Sequence, residues 1–106
     1  MYNKIKYSPE ALNDLDEIWK YISVNLSNLI SANNTINGIL DTIDVLKEFP
    51  KSGKPLEFSN GIKTNYRFVR YKNYIAFYRI SDNNIFVDRI IYGKRDYMKI
   101  LFENEL

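Results

Sequence analysis

Cysteine and histidine are both absent from this chain of 106 residues, and the two absences remove whole classes of chemistry. Without a thiol there is neither a thiolate nucleophile nor a disulfide framework, so nothing ties the fold to an oxidising compartment. Without an imidazole there is no Ser-His relay and no zinc site of the usual ligands. Any general acid or base has to be Asp, Glu, Tyr or Lys. Long apolar runs are missing too: none approaches the roughly 18–20 residues of a membrane span, and no secretory leader opens the chain. These absences lead to the expectation of a small cytoplasmic domain with no membrane association, no metal and no small-molecule cofactor.

What is present supports a folded globule. Hydrophobic residues make up 45% and aromatics 15%, at a length that suits one domain spanning residues 1–106. The net charge of +2 conceals an asymmetry. Residues 1–48 carry four lysines against seven acids, whereas residues 63–99 carry nine Lys and Arg against three Asp. A segregated basic half suits an anionic partner, either nucleic acid or an acidic protein. The plainer alternative is a solvated face that keeps the domain soluble.

The hydrophobic period divides the chain. Residues 2–7 alternate in character and read as one strand. Ser8-Pro9-Glu10 then starts a helix, with Ser as cap, Pro in the first turn and Glu at the positive end of the dipole. Leu12, Leu15, Ile18, Trp19 and Ile22 form its apolar stripe, with Asp14, Asp16, Glu17 and Lys20 outside it. Trp19 reads as core. The polar stretch 25–34 marks a break, and a second stripe runs through Ile36, Ile39, Leu40, Ile43 and Leu46 to Phe49-Pro50. Residues 51–65 read as the longest loop. The period then drops to two over 66–71, 74–80 and 85–92, with Lys72-Asn73 and Asp82-Asn83-Asn84 as hairpin turns. The predicted class is α+β: an N-terminal strand, an antiparallel helical hairpin, a three-stranded antiparallel meander and a short helix within 94–102.

Three blocks carry a family resemblance. They are Ser8-Pro9-Glu10-Ala11 with Asp14 to Tyr21, then Leu46 to Gly53, then Tyr66-Arg67-Phe68-Val69-Arg70-Tyr71 with Ile75 to Arg79 and Val87 to Tyr97. In order and coverage the chain resembles the RelE/ParE superfamily of toxins from bacterial type II toxin–antitoxin modules. The resemblance implies a helical hairpin on a twisted antiparallel sheet in a stable complex with a cognate antitoxin. It leaves the target open, because RelE-like members are ribosome-dependent endoribonucleases that cut mRNA, whereas ParE-like members poison DNA gyrase. The first helix and the loop after Phe49-Pro50 are the more ParE-like.

Each reading assigns roles to the same residues. In a metal-independent mRNA interferase, Arg70 and Arg95 match basic residues that RelE-like enzymes use on phosphate, a task suited to a forked, permanently charged guanidinium. Lys51 and Lys54 fall where that branch places active lysines, and Tyr97 lies near a tyrosine it uses. Arg70 reads equally as an ion-paired edge residue, and the lysines as ordinary loop residues. A gyrase poison needs only a contact surface, which accords with the missing histidine. Lys94, Arg95, Tyr97, Leu101 and Phe102 would form that patch, although Leu101 also reads as core packing. Asp88 and Arg89 read as a structural ion pair. A third possibility is an inactive module that still binds antitoxin. As an antitoxin-binding module, the free protein should expose an apolar strip for the antitoxin to cover.

Overall fold

The structure, a computed structural model, describes residues 3–93 and 95–102. Strand β1 (Lys4–Tyr7) leads into helix α1 (Pro9–Lys20), which continues as a π-helical turn over Tyr21–Asn25. Helix α2 (Leu29–Asp44) ends in a 3₁₀ turn, Val45–Lys47. Strands β2 (Lys54–Glu57), β3 (Lys63–Tyr71), β4 (Tyr74–Ser81) and β5 (Asn84–Tyr92) follow, and helix α3 (Tyr97–Phe102) closes the order. Tyr2, placed in the first strand by its alternation, lies outside the described residues.

Local chemistry sets the boundaries. Ser8 Oγ accepts the Ala11 N–H at 2.9 Å and donates to the Asp88 carbonyl at 2.7 Å, so one hydroxyl caps α1 and ties it to β5. Asn28 caps α2 through the Ser31 N–H at 2.9 Å. The break between the helices is therefore confined to 26–28, and the polar run 29–34 is helical. Cross-hairpin contact includes a hydrogen bond from the Trp19 indole to Asn33 Oδ1 at 2.9 Å. Trp19 is thus a half-buried clasp on the hairpin rather than core.

All five strands join one sheet in the order β1-β5-β4-β3-β2. β1 runs parallel to β5, and the other three pairings are antiparallel. The expected meander is one strand short, because β2 lies inside the segment read as loop. Lys-Pro-Leu-Glu offers a single apolar side chain, the buried Leu56, and so too little pattern to detect. At the β3–β4 turn Lys72, not Asn73, takes the positive φ, whereas Asp82 and Asn83 share it at the next turn.

The sheet buries both faces. Ala11, Ile39, Ile43, Leu46, Ala76, Tyr78, Ile85, Val87 and Ile90 form the main core under the helical hairpin. Leu56, Ile75, Phe77, Ile91 and Leu101 form a smaller core under α3. The first stripe is rotated from its predicted line: Leu12 is exposed, while Asp14 is buried. Tyr78 is fully buried, yet its hydroxyl donates to the Pro50 carbonyl at 2.7 Å and accepts the Gly53 N–H at 3.1 Å, pinning the connection to β2.

Candidate functional site

The candidate residues divide between the two faces of the sheet. Register places Lys54 opposite Phe68, and Arg70 opposite Ile75. Phe68 and Ile75 belong to the smaller core, so both cations lie on the α3 face, exposed. Tyr97 joins them there, its ring 5.2 Å from that of Phe77. Gly93 leaves room beside Arg70, whose Nη1 would lie 3.5 Å from any Cβ added at that glycine. Lys51 is exposed on the preceding loop, where its carbonyl accepts from Arg67 Nη2 at 3.1 Å.

Arg95 goes elsewhere. Its backbone N–H bonds the Tyr92 carbonyl at 3.0 Å, and its side chain lines a groove of about 570 Å³ with Glu17, Ile18, Tyr21, Tyr74 and Tyr92, against α1. Of the expected contact patch, Lys94 lies outside the described residues. Leu101 takes the core-packing alternative: it lies with Leu56 and Phe77 and offers little surface to a partner. Phe102 is half-buried, packed 5.1 Å from Phe58 and 5.7 Å from Tyr66.

Asp14 is part of the lining of the Arg95 groove. It has both carboxylate oxygens committed: Arg89 donates from Nε at 2.8 Å and Nη2 at 2.9 Å, and the Ile90 N–H donates at 2.8 Å. The hydrogen bond to Asp14 holds the Arg89 pKa above its ordinary value, against some desolvation. Burial raises the Tyr74 phenol, and the nearby Tyr92 and Tyr21 reinforce the shift, so it keeps its proton at neutral pH. A cation among tyrosine rings and an isoleucine can hold an acidic or aromatic side chain.

Asp88 and Arg89 do not pair with one another: the register of β5 against β4 shifts at Asp88, and the two side chains take separate partners. Arg89 turns to Asp14 under the hairpin. Asp88 turns to the α3 face, where Arg79 donates to it at 2.6 and 3.2 Å and the Tyr66 hydroxyl at 3.0 Å. This network borders a second groove with Phe58, Lys63 and Phe102, which the sequence reading did not find. Its signal was a strand-borne Arg and Asp nine positions apart, legible only once β4–β5 register is known. Exposed apolar side chains concentrate at the hairpin turn: Tyr21, Val24, Leu26, Leu29 and Ile30. Among the described residues no acidic cluster has the arrangement to hold a metal ion, and no helix is long and apolar enough to cross a membrane.

A helical hairpin over a five-stranded mixed sheet, with basic residues at the strand ends, defines the RelE/ParE class of toxin of type II toxin–antitoxin systems. The chain belongs to the family described as the ParE toxin of the type II toxin–antitoxin system parDE, whose family model matches residues 5–97. Among solved structures, the chromosomal ParDE toxin–antitoxin system from P. aeruginosa is similar at a TM-score of 0.73 and 21% identity, covering 88% of this chain and 98% of that one. The toxin–antitoxin complex RelBE2 from Mycobacterium tuberculosis is similar at a TM-score of 0.61 and 18% identity, covering 87% and 99%. At these identities the likeness is one of fold. No curated protein matches the chain.

Proposed function

We propose that this chain is a growth-inhibiting toxin, neutralised by a cognate protein antitoxin, that acts in the cytoplasm by binding DNA gyrase. The observation that carries the choice of target is the split among the candidate cations. Arg95 lines a groove against α1, while Arg70, Lys54 and Tyr97 lie on the opposite face of the sheet. A ribonuclease needs its phosphate ligands and its acid–base groups around one scissile bond. A poison needs only surface, and the Arg95 groove supplies a cation among aromatic rings. Membership of the ParE toxin family supports the same reading.

The second reading, a ribosome-dependent mRNA endonuclease, draws on the shared face of Lys54, Arg70 and Tyr97. Purified gyrase separates the two. The chain should inhibit supercoiling of relaxed plasmid, and Arg95→Ala should weaken that inhibition about tenfold or more, as loss of an interface hot spot does. Replacing Arg70 and Lys54 together by Ala should leave it within about twofold. Inhibition lost with the Arg70/Lys54 pair and kept without Arg95 would reverse the assignment of faces.

A further inference from the structure

Residues 21–40 contain no Asp, Glu, Lys or Arg, in a chain where those four types make up 26%. The stretch spans the π-helical turn after α1, the connection and most of α2. At its start, the tip of the helical hairpin, Tyr21, Val24, Leu26, Leu29 and Ile30 all face water and are 54% to 75% exposed. The turn that carries them is nevertheless fixed. The Leu26 and Asn28 N–H groups bond the Tyr21 and Ile22 carbonyls at 3.1 and 3.2 Å, and Asn28 caps α2. The bond from Trp19 to Asn33 braces the two helices against each other. Ser27 holds a φ of 51°, a left-handed conformation that costs a non-glycine residue energy. π-helical turns and strained residues gather where a protein makes functional contacts. This turn holds five large apolar side chains out to solvent in one patch.

We infer that the hairpin tip is a self-association surface, through which two copies of this chain form a weak two-fold dimer. Charge decides the occupant. A nucleic acid or a charged protein segment finds nothing at the tip to pair with. A lipid surface is disfavoured too, because the flanking Lys20 is already bonded to Asp16 at 2.9 Å. In a two-fold contact each residue near the axis meets its own counterpart, so any charge there would face its like. A charge-free apolar patch is what such a contact requires. The five exposed side chains offer roughly 500 Å² per copy, so a pair covers about 1000 Å², where specific but reversible interfaces begin. Tyr21 also lines the Arg95 groove, so pairing covers part of one wall of that groove. The contact is independent of the target; only its competition with gyrase rests on the reading above.

The test is sedimentation velocity of the full-length chain, made by cell-free synthesis without antitoxin, over about 1 to 300 μM. Amide NMR at both ends of that range locates the contact. The sedimentation coefficient should climb from monomer to dimer, and the resonances that shift with concentration should cluster in residues 19–34. Ile30→Asp should weaken the dimer about tenfold or more. Its urea midpoint should hold, because residue 30 is exposed in the first turn of α2, where an acid suits the helix dipole. A mixture of Ile30→Asp with Ile30→Lys should pair where neither variant pairs alone. With purified gyrase, Ile30→Asp should inhibit at least as well as the parent chain, since it leaves the Arg95 groove intact. A chain that stays monomeric throughout, a dimer that tolerates Ile30→Asp, or a mixture that fails to pair would each overturn the inference. A monomeric chain whose gyrase inhibition is lost in Ile30→Asp would overturn it in favour of gyrase as the occupant of the tip. A chain that dimerises through the tip but never inhibits gyrase defeats the target reading alone.

Discussion

Asp14 shows how a single residue can decide a fold while looking ordinary in the sequence. Its side chain is 7% exposed, and it accepts three hydrogen bonds that join α1 to the last residues of β5. Replacing it by Ala leaves Arg89 half-buried and unpaired and orphans the Ile90 N–H. Loss of one partner from a buried pair costs about 3 to 5 kcal/mol, a large share of what holds a domain of this size. Urea denaturation should show that loss for Asp14→Ala and no measurable change for Asp16→Ala, whose partner Lys20 is exposed. Equal effects would mean that Asp14 is not the tie described here. Periodicity put Asp14 at the polar margin of the stripe because a helical pattern reports side-chain character, not a partner 75 positions away. The same blindness joined Asp88 to Arg89. Arg95 was legible as a candidate because a strand end followed by glycine presents whatever comes next, but its face was not.

At the scale of elements, the sites of close approach carry the packing. Gly38 sits mid-helix in α2, where alanine would ordinarily stabilise by about 1 kcal/mol. Here an added Cβ would overlap the ring of Tyr71 on β3, which packs against the main core. Gly38→Ala should therefore destabilise, by about 1 to 3 kcal/mol as overpacking does. In a double-mutant cycle with Tyr71→Leu, the double variant should be more stable than the two separate losses sum to, by about 1 kcal/mol. Simple additivity in urea melts would remove the contact from the account. The two helices, the last three strands and the terminal helix were legible because long runs with a clear period declare themselves. β2 was not, because one apolar residue beside a proline makes no period. The start of α2 was obscured by Ser and Asn residues that favour turns in isolation but are tolerated once a helix packs.

For the whole molecule, the composition forecasts the response to pH. With no histidine, the urea midpoint should stay level between about pH 6 and 9. Above that range buried phenols take over. Tyr7 is pushed up to about 12, chiefly by burial and then by Asp44, and burial also raises Tyr74 and Tyr78. Unfolded tyrosines ionise near 10, so beyond that pH the unfolded state releases protons that the native state retains. Stability should fall from about pH 10 and continue falling through about 12, and Tyr7→Phe should flatten part of the slope. A midpoint that rises across that interval would contradict the burial of these rings. The segregated charge also finds its place at this scale: the acid-rich half builds most of the helical layer, and the basic half most of the sheet. The sequence showed that separation plainly, but not that β1 would cross to pair in parallel with β5.

The proposed arrest of DNA metabolism through gyrase is tested most directly by incorporation of labelled precursors after induction without antitoxin. In the first minutes thymidine incorporation should fall while leucine incorporation holds, and Arg95→Ala should delay the fall. An early fall in leucine incorporation with thymidine spared would contradict the claim and turn Arg70, Lys54 and Tyr97 into the residues to pursue.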